Sequence, residues 1–216
     1  MINTILWDFD GTLVDTNRVV MESWQITYEH YYGHRMPEEH ITQFFGEPLL
    51  VTMEREFPMA DPAESCEVYR KYQREFAYKL VDTFPGVFEL VRTLKERGYK
   101  QCIVTSRTRV SADLYLGMFG MDDAFDGMVT CDDTDSHKPN PEPILLGLEK
   151  MKCPKDEAIM IGDGVFDVKC ANNAGVKCVL VGWRITDPGN QLITDAVHDY
   201  EVKDTDELLR LIEELS

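Results

Sequence analysis

A chain of 216 residues, 44% of them hydrophobic, can bury a core large enough to fold without covalent staples. Its formal charge of −17, from 39 acidic and 22 basic residues, excludes the broad basic face that nucleic acid or an anionic membrane requires. The six cysteines form no C-x-x-C pair, there is no leader-like segment, and no window approaches the about 18 apolar residues of a membrane span, so a cytoplasmic protein with reduced thiols is expected.

The first predicted element is a short buried strand at residues 4–7, followed at once by Asp8-Phe9-Asp10-Gly11-Thr12. In extended chain, side chains two apart share a side, so Asp8 and Asp10 can converge while Phe9 turns inward. Two adjacent carboxylates repel unless a cation neutralises them, and hard oxygen ligands favour magnesium. A screened Asp8 could act as nucleophile and Asp10 could move protons. Gly11 lets the backbone approach an anion, with its amide and that of Thr12 available to phosphate oxygens. Taken alone, the motif also reads as an ordinary strand-to-helix turn.

Residues 17–82 break the pattern, with no convincing strand and three helical stretches at about 18–32, 47–57 and 62–79. They predict an inserted all-helical cap domain, with the core domain made of residues 1–16 and 83–216. His30 and His34 lie four apart without a carboxylate partner, so cap surface is the better reading than a zinc site. Trp24, Tyr28, Tyr31 and Tyr32 are expected to pack between cap helices.

Beyond the insertion, apolar runs at 101–105, 128–131, 158–161 and 177–181 alternate with amphipathic stretches at 87–97, 141–150 and 165–174, and the chain closes with a helix at 204–215. Alternation of this kind predicts an α/β fold, a doubly wound parallel sheet whose ligands bind at the C-terminal ends of the strands. Three further signals fall at such ends. Thr105-Ser106 offers hydroxyls and amides to a phosphate, with Arg107 and Arg109 following as candidates for a substrate carboxylate or second phosphate, or as solvated charges. Lys138, in Lys-Pro-Asn-Pro, can neutralise a carboxylate and a phosphoryl group, although a lone lysine is more often a surface charge. Asp163 suits a metal ligand, and Asp167, on the first helical turn, suits holding a metal-bound water or Lys138, or a plain helix-dipole role.

Together these residues resemble the haloacid dehalogenase superfamily of phosphohydrolases, through D-x-D-G-T at Asp8 to Thr12, the strand ending at Thr105, Lys138 in K-P-x-P, and G-D-x-x-x-D at Gly162 to Asp167. The insertion looks like that family's helical C1 cap. The resemblance implies a Rossmann-like core and a magnesium-dependent phosphatase acting on a small phosphorylated metabolite. In it, Asp8 is the nucleophile and Asp10 the acid/base. The Asp8 carboxylate, the Asp10 carbonyl and Asp163 hold Mg2+. Thr105 and Lys138 bind the phosphoryl group with the amides of Phe9, Gly11 and Ser106, and Asp167 orients Lys138. Phe84-Pro85-Gly86-Val87, Asp132-Asp133 and Gly182-Trp183-Arg184 are similar to phosphoglycolate phosphatases and bacterial inorganic pyrophosphatases, and Gly46-Glu47-Pro48-Leu49 to their cap turn. A phosphomutase of the beta-phosphoglucomutase type is the alternative, and a non-enzymatic phosphoacceptor module a more distant one. A monomer or small homo-oligomer is expected.

Overall fold

The computed structural model describes residues 1–45, 47–183 and 197–216; Gly46 and Arg184 of the sequence reading lie outside them. The chain divides into two compact units, Met1–Val14 with Thr83–Ser216, and Asp15–Asp82.

The first unit is built on six parallel strands: β1 (Thr4–Trp7), β4 (Lys100–Val104), β5 (Gly127–Val129), β6 (Ala158–Gly162), β7 (Lys177–Val181) and β8 (Tyr200–Val202). They are ordered β5-β4-β1-β6-β7-β8. Strands this apolar are covered on both faces. Leu6, Cys102, Val104, Met160, Cys178 and Leu180 pack with Ile144, Leu148, Val168 and Ala171 of α7 (Glu142–Met151) and α8 (Val165–Ala174). Their neighbours Ile5, Trp7, Ile103, Ile159, Ile161 and Val179 point to the other face and are equally inaccessible to solvent. There the buried Gln101 side chain accepts from Trp7 Nε1 at 3.0 Å and donates to the Val91 carbonyl of α5 (Val87–Glu96) at 2.9 Å, so a polar group in the core is satisfied. α6 (Arg109–Phe119) follows β4, and α9 (Thr205–Leu215) packs on α5 and β8.

This order has one functional consequence. The chain runs outward from β1 through β4 to β5, then returns to β1's other side with β6. The C-terminal end of β1 is therefore the switch point at which open parallel sheets bind ligands.

The second unit is helical: α1 (Asn17–Tyr32), α2 (Glu38–Thr42), α3 (Leu49–Glu56) and α4 (Pro62–Leu80). Asp61 caps α4 by accepting from the Ala63 and Glu64 amides at 3.0 Å, with Pro62 in the first turn. Trp24 and Tyr28 sit in its core, with Trp24 edge-on to Phe44 at 4.9 Å and against Tyr69 at 4.8 Å, whereas Tyr31 is half-buried at its margin and Tyr32, expected between the helices, is exposed. Tyr28 donates to Glu56 at 2.7 Å from a nearly inaccessible position, whereas His30 and His34 are exposed. Two short strands bound the unit in sequence, β2 (Val14–Asp15) and β3 (Asp82–Thr83), and pair with each other.

Candidate active site

Asp8 continues β1 by donating its amide to the Ile161 carbonyl at 2.8 Å, which fixes its side chain at the switch point. The chain then folds into a tight turn in which the Leu13 and Val14 amides both donate to the Phe9 carbonyl at 3.0 Å. The Gly11 amide, expected to face a phosphate oxygen, instead donates to the Val14 carbonyl at 3.0 Å, so Gly11 serves the turn. The Phe9 ring is buried against Tyr115 at 6.3 Å. Trp183, just beyond β7, closes the turn from outside by donating from Nε1 to the Thr12 carbonyl at 3.1 Å.

Gly11 is required twice over. Its φ of +80° lies in the left-handed region, and a Cβ would sit 2.3 Å from Asp163 Oδ2. Gly11→Ala is expected to cost about 1–2 kcal/mol, chiefly from the left-handed backbone, since the atom its Cβ would meet is the end of the Asp163 side chain, which can turn aside. Denaturant unfolding checks the loss, and isothermal titration with Mg2+ should show weaker binding because Asp163 is displaced.

Lys138 joins the two acidic motifs. Its buried ammonium donates to Asp8 Oδ1 and Asp167 Oδ1, each at 2.6 Å. The other Asp167 oxygen accepts from the Gly164 amide at 3.2 Å, so this carboxylate is bonded on both sides and suits the orienting role. The loop that delivers Lys138 is tied down by residues the sequence reading passed over. Glu142 accepts from the Asp135 and Ser136 amides at 3.3 and 3.0 Å, Asn173 Nδ2 donates to the Pro139 carbonyl at 2.9 Å, and Cys170 Sγ donates to the Asn140 carbonyl at 3.0 Å. Only Glu142 had a sequence signal, an acid on the first helical turn beside two loop amides.

Thr105 is buried just past β4, its amide on the Val129 carbonyl at 2.9 Å and its hydroxyl accepting from the Arg107 amide at 3.1 Å. Ser106 is exposed. Arg107, considered for a substrate carboxylate, is buried, and its guanidinium grips Asp10, with Nε on Oδ2 at 2.9 Å and Nη2 on Oδ1 at 2.5 Å. Arg109 is likewise engaged by the protein, through the Met128 carbonyl at 3.0 Å and Asp133 at 3.1 Å.

Asp8, Asp163 and Asp167 each present a carboxylate oxygen within 4.8 Å of the others. Burial, reinforced by the Asp167 charge, pushes the Asp8 carboxyl up to about 7 despite Lys138. Burial, then the Asp8 and Asp167 charges, raises Asp163 well above the usual carboxylate range. Four carboxylates at 8, 10, 163 and 167 thus face two paired cations, Lys138 and Arg107. This donor set is all oxygen, close-spaced and over-negative, so it fits a hard divalent cation.

These shifts set a pH dependence. Raised carboxylates mean that the metal-free native state holds protons that the unfolded chain releases, so stability falls as pH rises from about 4 to 7, by at most about 4 kcal/mol for Asp8. Lys138 is raised in the fold, so its contribution is constant below its unfolded value of 10.5, and Asp133, lowered to about 2, acts only at more acid pH. The Tm measured without a divalent cation is therefore expected to drop between pH 5 and 8, and added Mg2+ is expected to flatten that drop by neutralising the same carboxylates. Calorimetric scans with and without Mg2+ check it; a flat metal-free profile would contradict the charge balance described.

The model of the haloacid dehalogenase-like hydrolases matches residues 5–181. A pyrophosphatase of Halalkalibacterium halodurans is 36% identical over 214 residues, covering 98% of this chain and 97% of that protein. Among solved structures, a Lactobacillus plantarum protein provisionally assigned as a phosphoglycolate phosphatase superposes with a TM-score of 0.87 at 21% identity, over 98% of this chain and 99% of that one. A Thermotoga maritima protein provisionally assigned as a beta-phosphoglucomutase gives 0.77 at 24% identity over the whole of both chains.

Proposed function

Since the chain belongs to the haloacid dehalogenase-like hydrolases, we propose that it is a magnesium-dependent phosphatase cleaving pyrophosphate or a small phosphoglycolate-like ester through an aspartyl phosphate. The observation that carries this reading is the Lys138 ammonium held 2.6 Å from Asp8 at the sheet's switch point. An ammonium there neutralises the carboxylate as an anionic phosphoryl group approaches it, and then shares the charge of the transferring oxygens.

A carboxylate oxygen of Asp8 attacks phosphorus, and the bond from phosphorus to the leaving oxygen breaks. Asp10 enters this step protonated, with one oxygen released from the Arg107 guanidinium, and gives its proton to that leaving oxygen. Asp10 then takes a proton from water as the water oxygen attacks phosphorus, and the Asp8–phosphorus bond breaks to release phosphate and the free carboxylate. Lys138 and the Thr105 hydroxyl hold phosphoryl oxygens, and Asp167 keeps Lys138 in place. Mg2+, held by the Asp8 and Asp163 carboxylates and the Asp10 main-chain carbonyl, would supply positive charge against the phosphoryl group.

The two structural neighbours share the fold at under 25% identity, and one is assigned as a mutase, so the fold alone does not choose between hydrolysis and transfer to a sugar. The pyrophosphatase relative, at 36% identity over nearly the whole chain, supports hydrolysis. Among the described residues no helix is long and apolar enough to cross a membrane. The test is phosphate release from pyrophosphate, phosphoglycolate and sugar phosphates with Mg2+ present or chelated. Isomerisation of a hexose 1-phosphate, given trace bisphosphate and yielding no free phosphate, would overturn the hydrolase reading.

A further inference from the structure

We infer that Trp183 is a positioning residue for the Mg2+ site, holding from the end of β7 the turn that presents the Asp10 carbonyl beside Asp8. The inference rests on the reading given above that Asp8, Asp10 and Asp163 hold the metal. Gly182 and Trp183 have no part in the phosphoryl transfer described there, yet what stands around them calls for both residue types.

Trp183 follows β7 and Thr12 lies in the turn after β1, and β6 runs between those two strands in the sheet. The bond from the indole Nε1 to the Thr12 carbonyl at 3.1 Å therefore joins the strand ends on either side of Asp163, which follows β6. Thr12 is wholly buried, where a main-chain carbonyl needs a donor. An indole supplies that donor on a rigid plane with only two rotatable side-chain bonds. The neighbouring residue of the same turn leans on the metal ligand itself, since a Cβ on Gly11 would stand 2.3 Å from Asp163 Oδ2. Adjacent residues of one turn thus meet Asp163 and the indole.

Trp183 is in turn set by Gly182. The Gly182 amide donates to the Val202 carbonyl of β8 at 2.6 Å, and a Cβ there would meet that oxygen at 2.7 Å and Lys203 Cα at 2.9 Å. These are main-chain atoms that cannot rotate away, so glycine lets the chain pass this close. The tether from β8 through Gly182 and Trp183 to Thr12 consists of backbone and one flat ring.

A cation binds most tightly to donors that already stand in place, because ordering left to the binding step is subtracted from affinity. Loss of the indole donor gives the turn alternatives that Mg2+ must then close. Affinity falls, whereas the loaded site has its donors back in place.

Calorimetric titration of Mg2+ into protein freed of divalent cations reads this directly. Trp183→Phe, which keeps an apolar ring and loses the N–H, is expected to raise the Mg2+ Kd about threefold to tenfold. Phosphate release from phosphoglycolate should need correspondingly more Mg2+, while kcat at saturating Mg2+ stays within about twofold of the wild type. Asp204→Ala removes the cap that accepts from the Glu207 amide at 2.9 Å at the start of α9; it costs stability elsewhere in the same unit and should leave the Kd unchanged. A wild-type Kd in Trp183→Phe, an equal rise in Asp204→Ala, or a loss of kcat that excess Mg2+ does not recover would overturn the inference. If Asp163→Asn binds Mg2+ as the wild type does, the metal reading fails first; if it does not and Trp183→Phe does, only the tether fails. Should Trp183→Phe be unfolded at the titration temperature, the wild-type protein decides. Its Trp183 indole N–H resonance, identified by its contacts to Thr12, should move as Mg2+ is added and stop at the calorimetric saturation point. A resonance that Mg2+ leaves in place would sink the tether.

Discussion

Asp8→Asn is expected to lower phosphate release by roughly 10^4 or more while leaving the fold intact. The loss follows from chemistry: an amide oxygen cannot form and release an acyl phosphate, and among the described residues no other carboxylate stands at the end of β1 in contact with Lys138. Asp167 is the other carboxylate on that ammonium, but both of its oxygens are already bonded. The fold should survive because Asn has nearly the shape of Asp and can still accept from Lys138. It also removes a charge that burial and Asp167 oppose. In the metal-free protein at pH 8 its Tm is expected to equal or exceed that of the wild type. Turnover measured by phosphate release, alongside a thermal scan, checks both halves. Full activity in this variant would remove Asp8 from the role of nucleophile.

The strand ends that carry the candidate site residues are legible because parallel strands buried on both faces must be short apolar runs, and the polar residue that follows each run stands at the edge where such sheets bind ligands. Asp8, Thr105 and Asp163 were found in that way, and the structure sets each directly after β1, β4 and β6. The helix α6 was not found. Its sequence, RVSADLYLGMF, mixes Val, Ser, Asp and Gly among its apolar residues, and its seating depends on tertiary contacts such as the Arg109 amide on Asp132 at 2.7 Å. β8, three residues long with its first two not fully buried, carries too little pattern to register. The pairing of Arg107 with Asp10 spans 97 residues, and no local spacing announces it. From sequence, Arg107 looks like any basic residue after a strand. Its partner becomes visible only when β4 is laid beside β1 in the register Trp7 to Ile103, which brings the two loops together.

Lys138→Met is expected to be the most destabilising single substitution in the site, by about 3–5 kcal/mol, because it leaves Asp8 and Asp167 buried without the cation that holds them together. For a chain of this size that is a fall in Tm of roughly 6–20 °C. The deficit should depend on pH in a definite direction. Asp8 already titrates at about 7 with Lys138 beside it. Without Lys138 it titrates higher still, so at pH 5 the variant carries a neutral Asp8 and recovers part of its stability, whereas at pH 8 the full repulsion returns. Mg2+ separates the ammonium's two tasks. As a counter-charge it should restore much of the lost Tm, since it neutralises the same carboxylates from the Asp163 side of the cluster. It should not restore turnover, because the phosphoryl oxygens still lack the ammonium donor. Thermal scans at pH 5 and 8 with and without Mg2+, set beside phosphate release, read both effects on one protein. Full turnover once the fold is restored would mean that Lys138 serves the structure of the site and not the reaction.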